Sequence, residues 1–183
     1  RVKECEKFKI KAKKLNIEAT KNIVESILKI KKKNRKIIKL IFISSDAVYA
    51  STNGNYKETD RLKPYNFYGL TKVKAEKEVK KLKKFIIIRT RFFNKKKIPF
   101  KYSADNIFSS SLEVNILVNH IKKLIKKDFN GIINVGSKKI SDYENYKKYK
   151  KKLIACDKTK IFKEVNFKLA TDASLNINKL KNI

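Results

Sequence analysis

Three polar side chains in the first half of the sequence have the types and spacing needed to move a proton. Tyr68 and Lys72 stand four residues apart, so on a helix they share one face. A phenol with a pKa near ~10 exchanges protons poorly at neutral pH, but a nearby ammonium and the positive amino end of a helix favour the phenolate. Ser45 follows an apolar run, and its hydroxyl could hold the oxygen that receives the proton. These residues predict a general acid–base site.

The same spacing occurs elsewhere and has a simpler interpretation there. Tyr143 and Tyr146 also have a lysine four residues further on. Because lysine is abundant throughout the chain, these two pairs indicate a solvated helix face rather than a second site. The context of Tyr68 must therefore distinguish it from them.

The elements around these residues predict an α/β fold. Apolar spacing of three and four residues indicates helices over 5–27, 68–83 and 112–125. Short β-branched runs at 37–43, 85–90 and 131–136 indicate buried strands between them. Alternating strands and helices imply a parallel sheet with helices on its faces, so Ser45 would lie at the carboxyl edge where ligands of such sheets bind. We expect 94–106 to be irregular, the chain after Ile154 to be weakly patterned, and a capping box to begin a helix at Ser141.

Composition limits the other classes of function. The 183 residues carry a formal net charge of +31, which would suit a nucleic-acid-binding protein. The excess is almost entirely lysine spread over every segment, together with many isoleucines and asparagines. This pattern indicates biased base composition rather than a nucleic-acid site. No apolar run is long enough to cross a bilayer. Cys5 and Cys156 lack metal-site spacing and indicate free thiols in a reducing cytoplasm, and with one histidine, His120, no metal site is expected.

Several motifs in the same order resemble those of the extended short-chain dehydrogenases/reductases. They are Ile41–Tyr49 (IFISSDAVY), Glu58–Asp60 (ETD), Pro64–Lys72 (PYNFYGLTK) with Glu76, and, upstream, Asn16 within NIEATKN. The resemblance implies that Tyr68 is the acid/base and that Lys72 binds the nicotinamide ribose and tunes Tyr68. It also implies that Ser45 positions the substrate oxygen and that Asn16 supports Lys72 through a water. Ser44 would join Tyr68 and Lys72 in contacting NADP or NAD.

Within that family the sequence is most similar to the dTDP-4-dehydrorhamnose reductase branch, the RmlD-like proteins of dTDP-rhamnose biosynthesis. Ser45 and Asp46, followed by a valine and a tyrosine, match the branch's polar pair. Ile88–Phe92 (IRTRF) resembles its strand ending, with Phe92 where an aromatic residue packs on the sugar. The resemblance implies a partial Rossmann-like sheet in 1–93. It implies a smaller substrate-binding region in 94–183, from which the strand 131–136 could return to the sheet.

The resemblance implies an NAD(P)-dependent reductase of a nucleotide-linked 4-keto sugar, but the sequence departs from the family, most seriously at its amino-terminal end. The family begins with a strand and a Gly-x-x-Gly-x-x-Gly turn that binds pyrophosphate, and nothing before Asn16 supplies it. We therefore expect that the amino-terminal part is missing and that these residues alone are inactive.

Two other functions stay open. The first is a non-catalytic relative that binds sugar nucleotides or regulates a partner, and the second is a basic nucleic-acid binder. A nucleotide sugar is the expected partner, a membrane is not, and a homodimer is left open.

Overall fold

The computed structural model describes residues 2–165 and 167–183. Its helices are α1 (Val2–Lys7), α2 (Lys9–Lys13), α3 (Ala19–Asn34), α4 (Phe67–Val79), α5 (Val114–Lys126), α6 (Asp142–Lys147), α7 (Lys158–Lys163) and α8 (Asn178–Lys181). Its strands are β1 (Leu40–Ile43), β2 (Phe85–Arg89), β3 (Phe92–Phe93), β4 (Tyr102–Ala104), β5 (Phe108–Ser109), β6 (Leu112–Glu113), β7 (Gly131–Asn134), β8 (Ile140–Ser141) and β9 (Ile154–Cys156). Within these residues, no helix is both long enough and apolar enough to cross a membrane.

A three-stranded parallel sheet in the order β1–β2–β7 forms the centre of the molecule. Ile43 pairs with Ile88, which in turn pairs with Ile133, so the carboxyl ends of all three strands meet at one edge. The predicted α/β fold with a parallel sheet is confirmed. Among the described residues no strand pairs with the other edge of β1.

The side chains of β2 alternate between two apolar layers, as a strand covered on both faces requires. Ile86 and Ile88 pack with Leu117 and Leu124 of α5 on one face of the sheet. On the opposite face, Ile87 packs with apolar residues of α3 and α4. Helices on both faces exclude water from the sheet, so polar groups can reach a ligand only where the strands end.

The predicted long amino-terminal helix forms, but it is interrupted. Phe8 has a non-helical backbone between α1 and α2, and the turn Lys14–Glu18 is a π-helix that leads into α3. A π-turn inserts an extra residue into the helical ladder and is frequent at functional sites. Asn16, one of the predicted site residues, lies within this turn.

The start of α4 is fixed by caps and by one close backbone contact. The Gly69 amide donates a hydrogen bond to Oδ1 of Asn66 at 2.8 Å, and the Phe67 amide donates to Oε1 of Glu6 at 2.6 Å. A Cβ atom at Gly69 would lie 2.1 Å from the carbonyl oxygen of Ala47. Glycine therefore allows the amino end of α4 to lie directly against the loop that follows β1.

The second half of the chain contains more regular structure than the sequence pattern predicts. The expected capping box between Ser141 and Glu144 is present at the start of α6. Residues 94–101 are irregular as expected, but Tyr102–Ala104 forms β4, which pairs in parallel with β9, and the weakly patterned tail after Ile154 contains α7 and α8. These two-stranded pairings join residues far apart in sequence, so local periodicity carries no signal for them.

Candidate active site

A cavity of about 750 Å³ opens at the carboxyl ends of β1 and β2. Its walls come from the loop after β1, the start of α4, the chain after β2 and the amino end of α6. The side chains that carry its chemistry are Ser45, Asp46, Tyr68, Arg91, Phe92 and Asp142. The structure thus brings Ser45 and Tyr68, which are 23 positions apart in the sequence, to one cavity, as expected from the strand-end position of Ser45.

The phenol of Tyr68 is half-buried in the wall of this cavity and interacts with the Ser45 hydroxyl. Burial raises the pKa of Tyr68 above its ordinary value, while the hydrogen bond with Ser45 works in the opposite direction. The expectation that Lys72 makes the phenol acidic is therefore wrong for this arrangement. This direction of shift favours the protonated phenol, which is the form that donates a proton.

Lys72 lies on the same helix but directs its amine to the edge of the sheet. Its Nζ donates a hydrogen bond to the carbonyl oxygen of Ile43 at 2.7 Å and lies 4.1 Å from the centre of the Phe42 ring. Burial lowers the pKa of Lys72 to about 8, although the nearby carboxylate of Glu76 partly opposes this. The amine of Lys72 thus lies at the end of β1, beside the carbonyl of Ile43, which is two residues before Ser45 in the sequence.

Asn16 approaches the site from the π-turn and contacts the residue next to Lys72. Its Nδ2 donates a hydrogen bond to Oγ1 of Thr71 at 3.0 Å. Asn16 also lines a second cavity of about 390 Å³ that shares Tyr68 with the first. Its contact with α4 is direct, and its predicted support of Lys72 through a water stays a prediction.

The two serines after β1 face different ways. The Ser45 hydroxyl accepts a hydrogen bond from the Ala47 amide at 3.2 Å and donates one to Oδ1 of Asp46 at 3.1 Å. The Ser44 hydroxyl instead donates to Oε1 of the buried Glu76 at 2.6 Å. Ser44 is thereby committed to the protein interior, and its predicted contact with a cofactor would have to use its backbone.

A guanidinium that sequence reasoning missed connects two carboxylates across the cavity. Nε of Arg91 lies 2.6 Å from Oδ2 of Asp46, and Nη1 lies 4.0 Å from Oδ2 of Asp142. Burial raises the pKa of both carboxyl groups, and Arg91 works against that rise. The available signal was a charged residue placed directly after a buried strand. Phe92, the next residue, exposes 49% of its surface at the cavity.

Metal chemistry has no candidate in the part of the chain that the structure describes. No three histidine, cysteine or acidic side chains there are grouped as a metal site would need. His120 lies half-buried on α5, away from the residues that line the cavity.

A parallel sheet with a serine at a strand end and a Tyr-x-x-x-Lys helix beside it defines the class of Rossmann-like short-chain reductases. Residues 1–109 match the family model described as RmlD substrate binding domain. The chain belongs to this family.

Relatives support the same assignment. A solved structure described as a hypothetical dTDP-4-dehydrorhamnose reductase from Sulfolobus tokodaii is 30% identical, with a TM-score of 0.80, and the alignment covers 100% of this chain and 69% of that one. The dTDP-4-dehydrorhamnose reductase from Bacillus anthracis in complex with NADP is 22% identical, with a TM-score of 0.83, covers 100% of this chain and 70% of that one, and shows the same fold.

The similarity to one curated protein extends over a shorter part of the chain. Methionine adenosyltransferase 2 subunit beta from Bos taurus is 40% identical over 68 residues, which are 37% of this chain and 19% of that protein. The chain therefore spans about a fifth of the length of this relative.

Replacing Lys72 with methionine should remove a specific pH dependence of stability. In the folded chain the Lys72 pKa is about 8, against an ordinary 10.5, so the unfolded chain binds more protons between these values. The free energy of unfolding contributed by Lys72 is therefore least favourable at pH 8 and below, and it rises as pH increases toward 10.5. Between pH 7.5 and pH 10 the free energy of unfolding of the wild type, measured with urea, should therefore rise by roughly 2 kcal/mol more than that of Lys72→Met. The exposed neighbour Lys74, changed to methionine, is the control; equal pH slopes in all three proteins would contradict the account.

Proposed function

We propose that this chain carries the substrate side and the proton donor of an NAD(P)-dependent reductase acting on a nucleotide-linked 4-keto sugar of the dTDP-4-dehydrorhamnose type. The observation that carries the proposal is the pairing of the Ser45 and Tyr68 hydroxyls in one cavity. The family match and the fold of the reductases named above support it.

The chemistry assigned to the protein is a proton transfer to a ketone oxygen. The Ser45 hydroxyl would hold that oxygen and Tyr68 would donate its phenolic proton to it as negative charge develops. Asp46 would accept hydrogen bonds from sugar hydroxyls, and the exposed ring of Phe92 would pack against the sugar. Arg91 would bridge Asp46 and Asp142, which both line the cavity.

The residues fit the nicotinamide end of the cofactor better than its diphosphate. Lys72, released from the carbonyl of Ile43, could hydrogen-bond ribose hydroxyls beside Tyr68. When bound, the nicotinamide supplies the hydride for reduction. The sequence has four glycines, at 54, 69, 131 and 136, and none forms the Gly-x-x-Gly-x-x-Gly turn that binds pyrophosphate. We infer that these 183 residues alone hold the cofactor weakly or not at all.

The proposed partners and location follow from the same features. A nucleotide sugar is the expected ligand, and a homodimer is compatible with it. Cys5 and Cys156 are both free thiols, which supports a reducing compartment such as the cytoplasm.

A dTDP-linked hexose should bind in the cavity, and Phe92 should contribute to its affinity. Removing the ring in Phe92→Ala should weaken binding roughly 3- to 10-fold in isothermal titration calorimetry, since aromatic packing is worth about 0.5–1.5 kcal/mol. Phe100→Ala, at a ring with similar exposure outside this cavity, is the matched control. Equal loss in both variants, or no binding by wild type, would refute the assignment of the cavity.

The chain alone should not reduce the sugar. Purified protein given NADPH and a dTDP-4-keto sugar should show no oxidation of NADPH at 340 nm above a blank without protein, because no diphosphate-binding turn is present. Turnover that disappears in Tyr68→Phe would show that the missing glycine turn is unnecessary and would overturn this part of the proposal.

A second candidate is a non-catalytic subunit, favoured by the 68-residue match to a protein named as a subunit. In that case the fold and cavity would be retained for assembly with another protein. Sugar-nucleotide or partner binding that is unchanged by Tyr68→Phe, together with the absence of turnover in any full assembly, would identify it.

A further inference from the structure

The carboxylate of Glu76 is fully buried and has one partner on a strand and one directly after another strand. Nε of Arg89 donates to its Oε1 at 3.1 Å and Nη2 donates to its Oε2 at 2.7 Å. The Ser44 hydroxyl donates to Oε1 at 2.6 Å. Glu76 belongs to α4, Arg89 to β2, and Ser44 follows β1, so one carboxylate connects the three elements that carry or flank the candidate site.

The network continues to the third strand of the sheet. Nη1 of Arg89 donates to the Tyr49 hydroxyl at 2.8 Å and to the carbonyl oxygen of Glu58 at 3.0 Å. The Tyr49 hydroxyl in turn donates to Oδ1 of Asn134 in β7 at 3.0 Å. All of these groups except the Glu58 carbonyl are at least nine-tenths buried, so water does not compete for their hydrogen bonds.

The position of Glu76 on α4 relates it to the proton-transfer residues. Lys72 lies one helical turn before Glu76, and Tyr68 lies two turns before it. Ser44, on the other side of the carboxylate, is covalently next to Ser45. Glu76 therefore connects its own helix, which presents Tyr68, with the strand end that presents Ser45.

We propose that Glu76 is a positioning residue of the candidate site, which orients Lys72 and Tyr68 against Ser45 through its bonds to Arg89 and Ser44. Glu76 is fully buried and would touch neither substrate nor cofactor. The inference rests on the proposed function only for the roles that it gives to Lys72, Tyr68 and Ser45. A buried ion pair is in itself a weak source of stability, because the cost of removing both charges from water offsets their attraction. The bonds of Glu76 to Arg89 and Ser44 instead indicate that the pair holds α4 in a defined position against the sheet.

The titration of Lys72 reports whether the Glu76 network acts on the amine of the candidate site, which an effect on folding alone would not change. Lysine labelled with ¹³C at Cε reports the midpoint of each amine by NMR, and Lys72→Arg assigns the Lys72 signal. In Glu76→Gln the midpoint of Lys72 should fall by roughly one pH unit, because the carboxylate that favours its ammonium is gone. In Arg89→Gln it should move upward instead, because the cation that neutralises Glu76 is gone.

Opposite shifts in the two variants would support the proposal, and either variant alone decides it if the other does not fold. Glu78→Gln is the matched control, because Glu78 lies on the same helix and pairs with the exposed Lys81. A Lys72 midpoint unchanged in a folded Glu76→Gln or Arg89→Gln variant would overturn the inference. The measurement uses no sugar or nucleotide, so failure of the dTDP-hexose to bind leaves its result unaffected.

Discussion

The direct contact between the amino end of α4 and the loop after β1 is the constraint on which the site depends. The backbone at Gly69 lies so close to Ala47 that any side chain there would overlap the Ala47 carbonyl. This contact brings the first turn of α4, with Tyr68, to the strand end that carries Ser45. A parallel sheet supplies the strand end, and the helix supplies the phenol, but only their close approach makes a shared cavity.

Burial then shifts the pKa of two groups that this contact brings together. The pKa of the Tyr68 phenol is raised and the pKa of the Lys72 amine is lowered to about 8, because desolvation disfavours the charged form of each. Both shifts favour the neutral groups. A neutral phenol beside a serine hydroxyl carries the proton that a donor needs, and its raised pKa makes it a weaker acid than the Tyr68 expected from the sequence.

The parts of the molecule governed by local pattern could be predicted from the sequence. The structure contains the elements expected from apolar periodicity, which are β1, α4, β2 and α5, and the capping box at Ser141. Both signals depend only on residues close together in the sequence. The π-turn around Asn16 and the pairing of β4 with β9 depend on contacts that no short window contains. For the same reason the sequence placed Tyr68 and Ser45 together but missed Arg91, whose partners Asp46 and Asp142 are brought near it only by the fold.

The most direct test of the central claim is a crystal structure of the chain with a bound dTDP-linked hexose. One sugar oxygen should lie within hydrogen-bonding distance of both the Ser45 hydroxyl and the Tyr68 phenol, and Phe92 should pack against the sugar ring. A structure in which these two hydroxyls lie on different surfaces, or in which the sugar binds away from them, would contradict that claim.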